Sequence, residues 1–134
     1  MTELDQAISV AFSSEGNKEE VNKVYLLLLK TNFYLPVKKE KGSDPDEPFS
    51  PLFANINNHF FILTFDKLER LQKWAGEQFA DMAYVEIKGQ DFIAGINENV
   101  YWGVNAGCHY YKEFSPDEIK QLKKIVAKLQ SWAQ

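Results

Sequence analysis

The sequence has little of what metal and disulfide chemistry requires. Its 134 residues include one cysteine, Cys108, and two histidines, His59 and His109. One cysteine excludes an internal disulfide and any zinc site that needs two or more thiolates. A mixed site built from these three residues and a carboxylate has no two ligands at the i, i+4 spacing of a helical zinc site. We therefore expect neither a metal ion nor a cofactor.

Long apolar runs and an excess of positive charge are also missing. The longest apolar run, residues 24–29, has six residues, whereas a membrane-spanning helix needs about 20. The chain begins with acidic residues and has no following apolar segment of the kind an export signal needs. Nineteen acidic residues against fifteen basic ones give a net charge of −4, which disfavours nucleic acid and anionic membranes as partners. These features, with the single thiol, predict a cytoplasmic protein.

What the sequence does contain is typical of a folded domain. Hydrophobic residues make up 45% and aromatic residues 14% of the chain, which is enough to form a core without a disulfide or a metal. The length fits one domain over residues 1–134. Hydrophobic periodicity predicts helices over 3–12, from Asn17, over 67–79, within 91–96 and from Ser115, and strands over 33–37, 52–57, 59–64, 83–88, 100–105 and 109–114.

Several helix starts and one turn are marked by specific residues. Asn17 and Glu20 have the spacing of a capping box, and Asp66 is placed to cap the third helix. Ser115 followed by proline and Glu118 gives the strongest start signal, because it combines an N-cap, a first-turn proline and a capping-box acid.

Asn57-Asn58 separates two strand patterns, and asparagine tolerates the positive φ of a tight hairpin turn. Residues 38–51 contain three of the five prolines and predict a surface loop. The combined prediction is a single α+β domain. Its mixed or antiparallel sheet has about five strands, and its helices are an N-terminal pair, a mid-chain helix and a C-terminal amphipathic helix.

Besides this order of elements, the sequence contains six informative strings, at residues 33–37, 61–71, 74–75, 85–93, 103–107 and 115–119. In their order and spacing they resemble the N-terminal domain of the enhanced serine sensitivity protein B (SseB) family of bacteria. The resemblance spans about residues 20–133. It implies an α+β domain without assigned catalytic residues, and a role linked loosely to amino-acid metabolism or to protein partners.

Cys108-His109 is the pair that most suggests an enzyme. A nearby imidazole could lower the pKa of the thiol and create a nucleophile. Adjacent residues of an extended chain point to opposite sides, however, so His109 is poorly placed to serve Cys108, and His59 would have to approach instead. An ordinary packed thiol is the favoured interpretation, and a thiol-dependent enzyme or small-ligand-binding protein is an alternative.

An aromatic set in the C-terminal half of the sequence is the candidate for an interaction surface, although plain core packing is the favoured interpretation of these residues. The set comprises Tyr101, Trp102, Tyr110 and Tyr111, together with Asn105, which either turns the chain or binds a ligand. Strand alternation places Tyr101 and Trp102 on opposite faces, so one of them must meet the core while the other can be exposed. Exposed Tyr and Trp are favoured at interfaces. The leading functional prediction is a non-enzymatic module that binds a protein partner or itself. A secretion-chaperone-like acidic dimer is a further alternative.

Overall fold

A computed structural model describes residues 2–15, 17–37, 52–96 and 99–132, with side chains described through Leu129. The elements in chain order are α1 (Glu3–Ser13), α2 (Lys18–Lys30), β1 (Asn32–Val37), β2 (Phe53–Ile56), β3 (His59–Thr64), α3 (Leu68–Ala75), a 3₁₀ segment (Gly76–Asp81), β4 (Ala83–Lys88), α4 (Gly89–Gly95), β5 (Tyr101–Val104), β6 (Lys112–Phe114) and α5 (Pro116–Trp132). The predicted α+β class is confirmed. The predicted loop at 38–51 lies outside the described residues.

The described strands form two sheets. One has four strands in the order β2-β3-β5-β6, and the other pairs β1 with β4. The central pair β3 and β5 is parallel, and the remaining pairs are antiparallel. The backbones of Tyr34 and Phe65 exchange hydrogen bonds of 2.8 and 3.1 Å, which join the two sheets.

Apolar side chains cover both sides of the four-stranded sheet. On one side, Ile62, Trp102, Val104 and Phe114 pack with α1, α2, α4 and α5 in the main core. On the other side, Phe61 and Leu63 form a smaller cluster with residues of α3. Because successive strand residues point to opposite faces, burial on both faces requires nearly continuous apolar runs, which is the pattern of residues 59–65.

The N-terminal helices begin with side-chain caps. Thr2 and Asp5 form a reciprocal capping box at α1, which the sequence reasoning did not predict. Asn17 is the N-cap of α2 as predicted, but its Oδ1 accepts from the Glu19 amide at 2.9 Å and not from the Glu20 amide. The predicted return bond from Glu20 is wrong, because the carboxylate pairs with Lys23 at 3.3 Å and the Asn17 amide donates to a serine hydroxyl instead.

Two predicted boundaries differ from the structure by three residues or more. The third helix ends at Ala75 and not at residue 79, because Gly76 has a φ of +59° and a 3₁₀ segment follows. Asp66 does not cap this helix: the N-cap is Lys67, which makes no side-chain cap bond. The last strand begins at Lys112 and not at residue 109, because the preceding residues form turns.

The C-terminal helix begins as predicted. The Ser115 hydroxyl accepts from the Glu118 amide, and the Glu118 carboxylate accepts from the Ser115 amide, both at 3.4 Å. Of the helices in the described ranges, none has the length and apolar character needed to cross a membrane.

Candidate functional site

The β2–β3 hairpin forms one edge of the four-stranded sheet. Its turn residues Asn57 and Asn58 have φ values of 54° and 67°, which are the positive values predicted for this pair. Positive φ at both residues is typical of a type I′ turn, which suits a two-residue hairpin. The ladder pairs Phe53 with Ile62 through to Ile56 with His59 without a bulge. The sequence therefore fixes both the turn and the register of this edge.

Alternation along the ladder determines which backbone groups face outward. A two-residue turn closes on a hydrogen-bonded pair, here Ile56 and His59, and hydrogen-bonded and non-hydrogen-bonded pairs then alternate. The N–H and C=O groups of Phe53 and Asn55 consequently point away from β3. Within the described ranges, no strand pairs with this side of β2.

The side chains around this edge are apolar and exposed. Phe53 is 51% exposed, Phe60 58% and Ile56 38%. The rings of Phe53 and Phe60 meet edge to face with centroids 6.4 Å apart on one side of the sheet, and Ile56 lies on the other. Residues 52–64 contain no Asp, Glu, Lys or Arg. We call the outer backbone of β2 with Phe53, Ile56 and Phe60 the hairpin edge.

The hairpin edge was missed by the sequence reasoning, which looked for an interaction surface among later aromatic residues. A signal was present in the sequence, because an apolar hairpin of this length without a charged residue lacks the usual protection of an edge strand. Whether the hairpin is central or at the edge, however, depends on which strands pair with it.

The predicted aromatic surface is only partly accessible. Trp102 and Asn105 are fully buried, so a partner cannot reach them, and this part of the prediction is corrected. Trp102 packs against Phe33, Phe92 and Phe114 and donates from Nε1 to the Thr64 hydroxyl at 2.8 Å. Trp102 lies on the face of β5 that packs against the helices, where its large ring fills the core.

Three tyrosines of that set remain half-buried. Tyr101 stacks on Phe61 and His59, with centroids 5.0 and 4.6 Å apart. Tyr111 packs over Gly103, where an added Cβ would lie 3.0 Å from the tyrosine oxygen. Burial raises the pKa of Tyr111, and its hydrogen bond to Glu113 adds to the effect. Tyr110 packs against the main core.

The structure does not bring the thiol and imidazoles together. His59 begins β3, whereas Cys108 lies in the turn that follows β5, beside the opposite end of β3. The six residues of β3 span roughly 20 Å, so His59 cannot reach Cys108. The ring of His109 contacts Tyr110, with centroids 4.7 Å apart. In the described ranges, no three His, Cys, Asp or Glu side chains are grouped so that they could hold a metal ion.

A buried ionic cluster joins α1 to α3. Arg70 Nη1 lies 3.0 Å from both Asp5 Oδ1 and Asp66 Oδ1, and the Thr2 hydroxyl donates to Asp66 at 3.1 Å. Burial acts to raise the pKa of Asp5, but hydrogen bonds from Arg70 and Thr2 together with the charge of Arg70 lower it overall. The Asp66 carboxylate is therefore engaged by Arg70 and Thr2 within this cluster.

Asn105 connects this cluster to the sheet. The backbone of Asn105 has a φ of 62°, so this residue turns the chain. A chain turn was one of the two roles predicted for it. Its side-chain Oδ1 accepts from the Asp66 backbone N–H at 3.0 Å, and its own backbone N–H donates to the Thr64 carbonyl at 2.8 Å. These bonds hold together the ends of the two parallel strands.

The topology and the exposed hairpin define an α+β domain that has an accessible apolar edge strand. The chain matches the family model described as SseB protein N-terminal domain over residues 4–121, and it belongs to that family. This confirms the resemblance found in the sequence. No curated protein and no solved structure matches the chain.

Proposed function

We propose that this domain binds a protein partner by adding an extended segment of that partner to the outer edge of β2. The hairpin edge is the observation that supports it. Proteins that do not use an edge strand protect it with charges, proline, a bulge or a covering element. β2 contains no charged residue, proline or bulge, and no strand among the described residues pairs with its outer side. Phe53, Ile56 and Phe60 are exposed on or beside it.

The chemistry of the edge specifies the kind of segment that would bind. Phe53 and Asn55 offer two outward N–H donors and two C=O acceptors, which match the backbone of one added strand. The Phe53 and Phe60 rings would receive apolar side chains on one face, and Ile56 would do so on the other. Because residues 52–64 lack formal charge, we expect binding to change little with salt.

The half-buried tyrosines have different positions relative to this edge. Tyr101 stacks on Phe61 and His59, so it would extend the contact on the side of Ile56. Tyr110 and Tyr111 lie toward β6, at the other edge of the sheet. Their predicted role in binding is therefore a hypothesis separate from this one.

Selection of short peptides from a random display library against the intact protein would test the proposal. We expect binders with apolar residues at alternating positions, and amide shifts in NMR that centre on residues 53–56. The decisive variant is Asn55→Pro, which removes an outward N–H while leaving the bonds to β3 intact, since proline is tolerated at such edge positions. It should abolish binding without unfolding the domain.

A substitution at an exposed position of another element, Lys120→Ala in α5, is the control and should bind normally. Peptides that bind Asn55→Pro as tightly as wild type, or that shift residues elsewhere, would contradict the proposal. A concentration-dependent dimer that Asn55→Pro dissociates would identify a second copy as the occupant.

We further propose that this binding takes place in the cytoplasm of a bacterial cell. The lone cysteine and the family resemblance support this setting. The net charge of −4 supports a protein partner over a nucleic acid.

A further inference from the structure

A second feature lies far from the hairpin edge. A cavity of about 280 Å³ opens between α1 and α2, beside the end of β6 and the start of α5. Its walls are mainly apolar and aromatic, formed by Ile8, Ala11, Phe12, Val21, Val24, Tyr25 and Phe114. Its size is near the lower end for small-molecule sites, so it suits a small ligand.

Two of the three charged residues that line the cavity neutralise each other. Lys112 Nζ lies 3.9 Å from the Glu118 carboxylate and 5.3 Å above the centre of the Phe114 ring. Glu118 also accepts from the Ser115 amide. The cavity wall therefore already accommodates an ammonium group against a carboxylate and an aromatic face, which is a favourable arrangement for a cation.

The third charged residue, Glu15, has no ion-pair or hydrogen-bond partner for its carboxylate among the described residues. Its backbone is held in the left-handed region at φ 57°, and its amide donates to the Phe12 carbonyl at 3.1 Å. The backbone of Glu15 is thus fixed at the cavity rim. With Lys112 and Glu118 paired, the lining has one uncompensated negative charge.

Tyr25 also lines the cavity, and Glu118 already occupies its hydroxyl. Burial raises the pKa of its hydroxyl, and the charge of Glu118, to which the hydroxyl donates, raises it further. An anionic ligand would have to compete with Glu118 for Lys112 and would be repelled by Glu15.

We propose that this cavity binds a small organic amine in its cationic form. The apolar body of the amine lies between the two N-terminal helices against Ile8, Val24 and the aromatic rings, and its ammonium group pairs with Glu15. The hairpin edge plays no part in this site, so either proposal can fail without the other.

Three probes of similar size and different charge test the proposal on the intact protein: 2-phenylethylamine, 2-phenylethanol and phenylacetate. Binding is followed by NMR of the Ile8, Ala11 and Val24 methyl groups. Glu15 is solvent-exposed, and exposed ion pairs are weak, so the amine should bind about two- to fivefold more tightly than the alcohol. Phenylacetate should bind most weakly.

Two variants test whether the preference for the amine depends on the charge of Glu15 or on the net charge of the protein. Glu15→Gln should make the amine and the alcohol bind equally. Glu19→Gln removes the same charge from an exposed position that does not line the cavity, and it should leave the preference for the amine intact. The proposal is overturned if no probe shifts these methyl signals, if the alcohol or phenylacetate binds as tightly as the amine, or if Glu15→Gln retains the preference.

Discussion

Replacement of Arg70 by methionine should strongly destabilise the domain. Arg70 Nη1 lies 3.0 Å from carboxylate oxygens of both Asp5 and Asp66. The Asp5 side chain is 1% exposed and that of Asp66 is 4% exposed, whereas Arg70 is 20% exposed. Methionine fills a similar volume without the charge, so the variant leaves two buried carboxylates without their cation.

The magnitude follows from the burial of the two acids. Removing one partner of a buried ion pair costs about 3–5 kcal/mol, because the remaining charge is uncompensated. Thr2 still donates to Asp66, which places the expected loss near the lower limit, about 3 kcal/mol. For a domain of this size, that corresponds to a fall in Tm of about 10–15 °C.

The loss should depend on pH in a defined direction. The pKa of Asp5 is raised by burial but lowered overall by its bonds with Arg70 and Thr2 and by the guanidinium charge. The ion pair therefore stabilises the fold above the unfolded-state pKa of about 3.9, and this contribution is lost as the pH falls through the lower folded value. The difference between wild type and Arg70→Met should be largest near neutral pH and should narrow below about pH 4.

Urea unfolding followed by circular dichroism over this pH range measures the effect. Lys73→Met, at an exposed position of the same helix, is the control for loss of a positive charge. A stability of Arg70→Met within about 1 kcal/mol of the control, which is the range of surface pairs, would refute the reasoning, and so would a difference that does not change with pH.

Two further substitutions test the packing. Gly89→Ala should destabilise the domain by about 3 kcal/mol, because the added Cβ would lie 1.8 Å from the Leu28 carbonyl oxygen and the backbone cannot move aside as a side chain can. Gly95→Ala is the control: no atom lies within 4 Å of its added Cβ, so the free energy of unfolding should change by less than about 1 kcal/mol. Equal losses for the two variants in urea titrations would contradict this prediction. Trp102→Phe should cost about 2–3 kcal/mol in the same assay, because it leaves a cavity and removes the donor to Thr64, and a near-zero change would show that the core repacks.

The local elements could be predicted because short-range chemistry determines them. Asn57 and Asn58 accept positive φ, which fixes the hairpin, and Ser115 with Glu118 fixes the start of α5. The predicted cap at Asp66 failed because its carboxylate is held by Arg70 and Thr2, and Thr2 is distant in sequence. Strand alternation alone did not decide whether Tyr101 or Trp102 faces the core. The position of the helices decides it, because they bury Trp102.

The sequence by itself determined the class of fold, the order of helices and strands, the family and the uncharged hairpin of residues 52–64. Only the tertiary structure decided that β2 lies at an edge, that Asn105 is interior, and that α1 and α2 leave a cavity beside Glu15. The physical reason is that turns and caps depend on contacts within a few residues, whereas strand order, burial and cavity shape depend on which distant segments pack together.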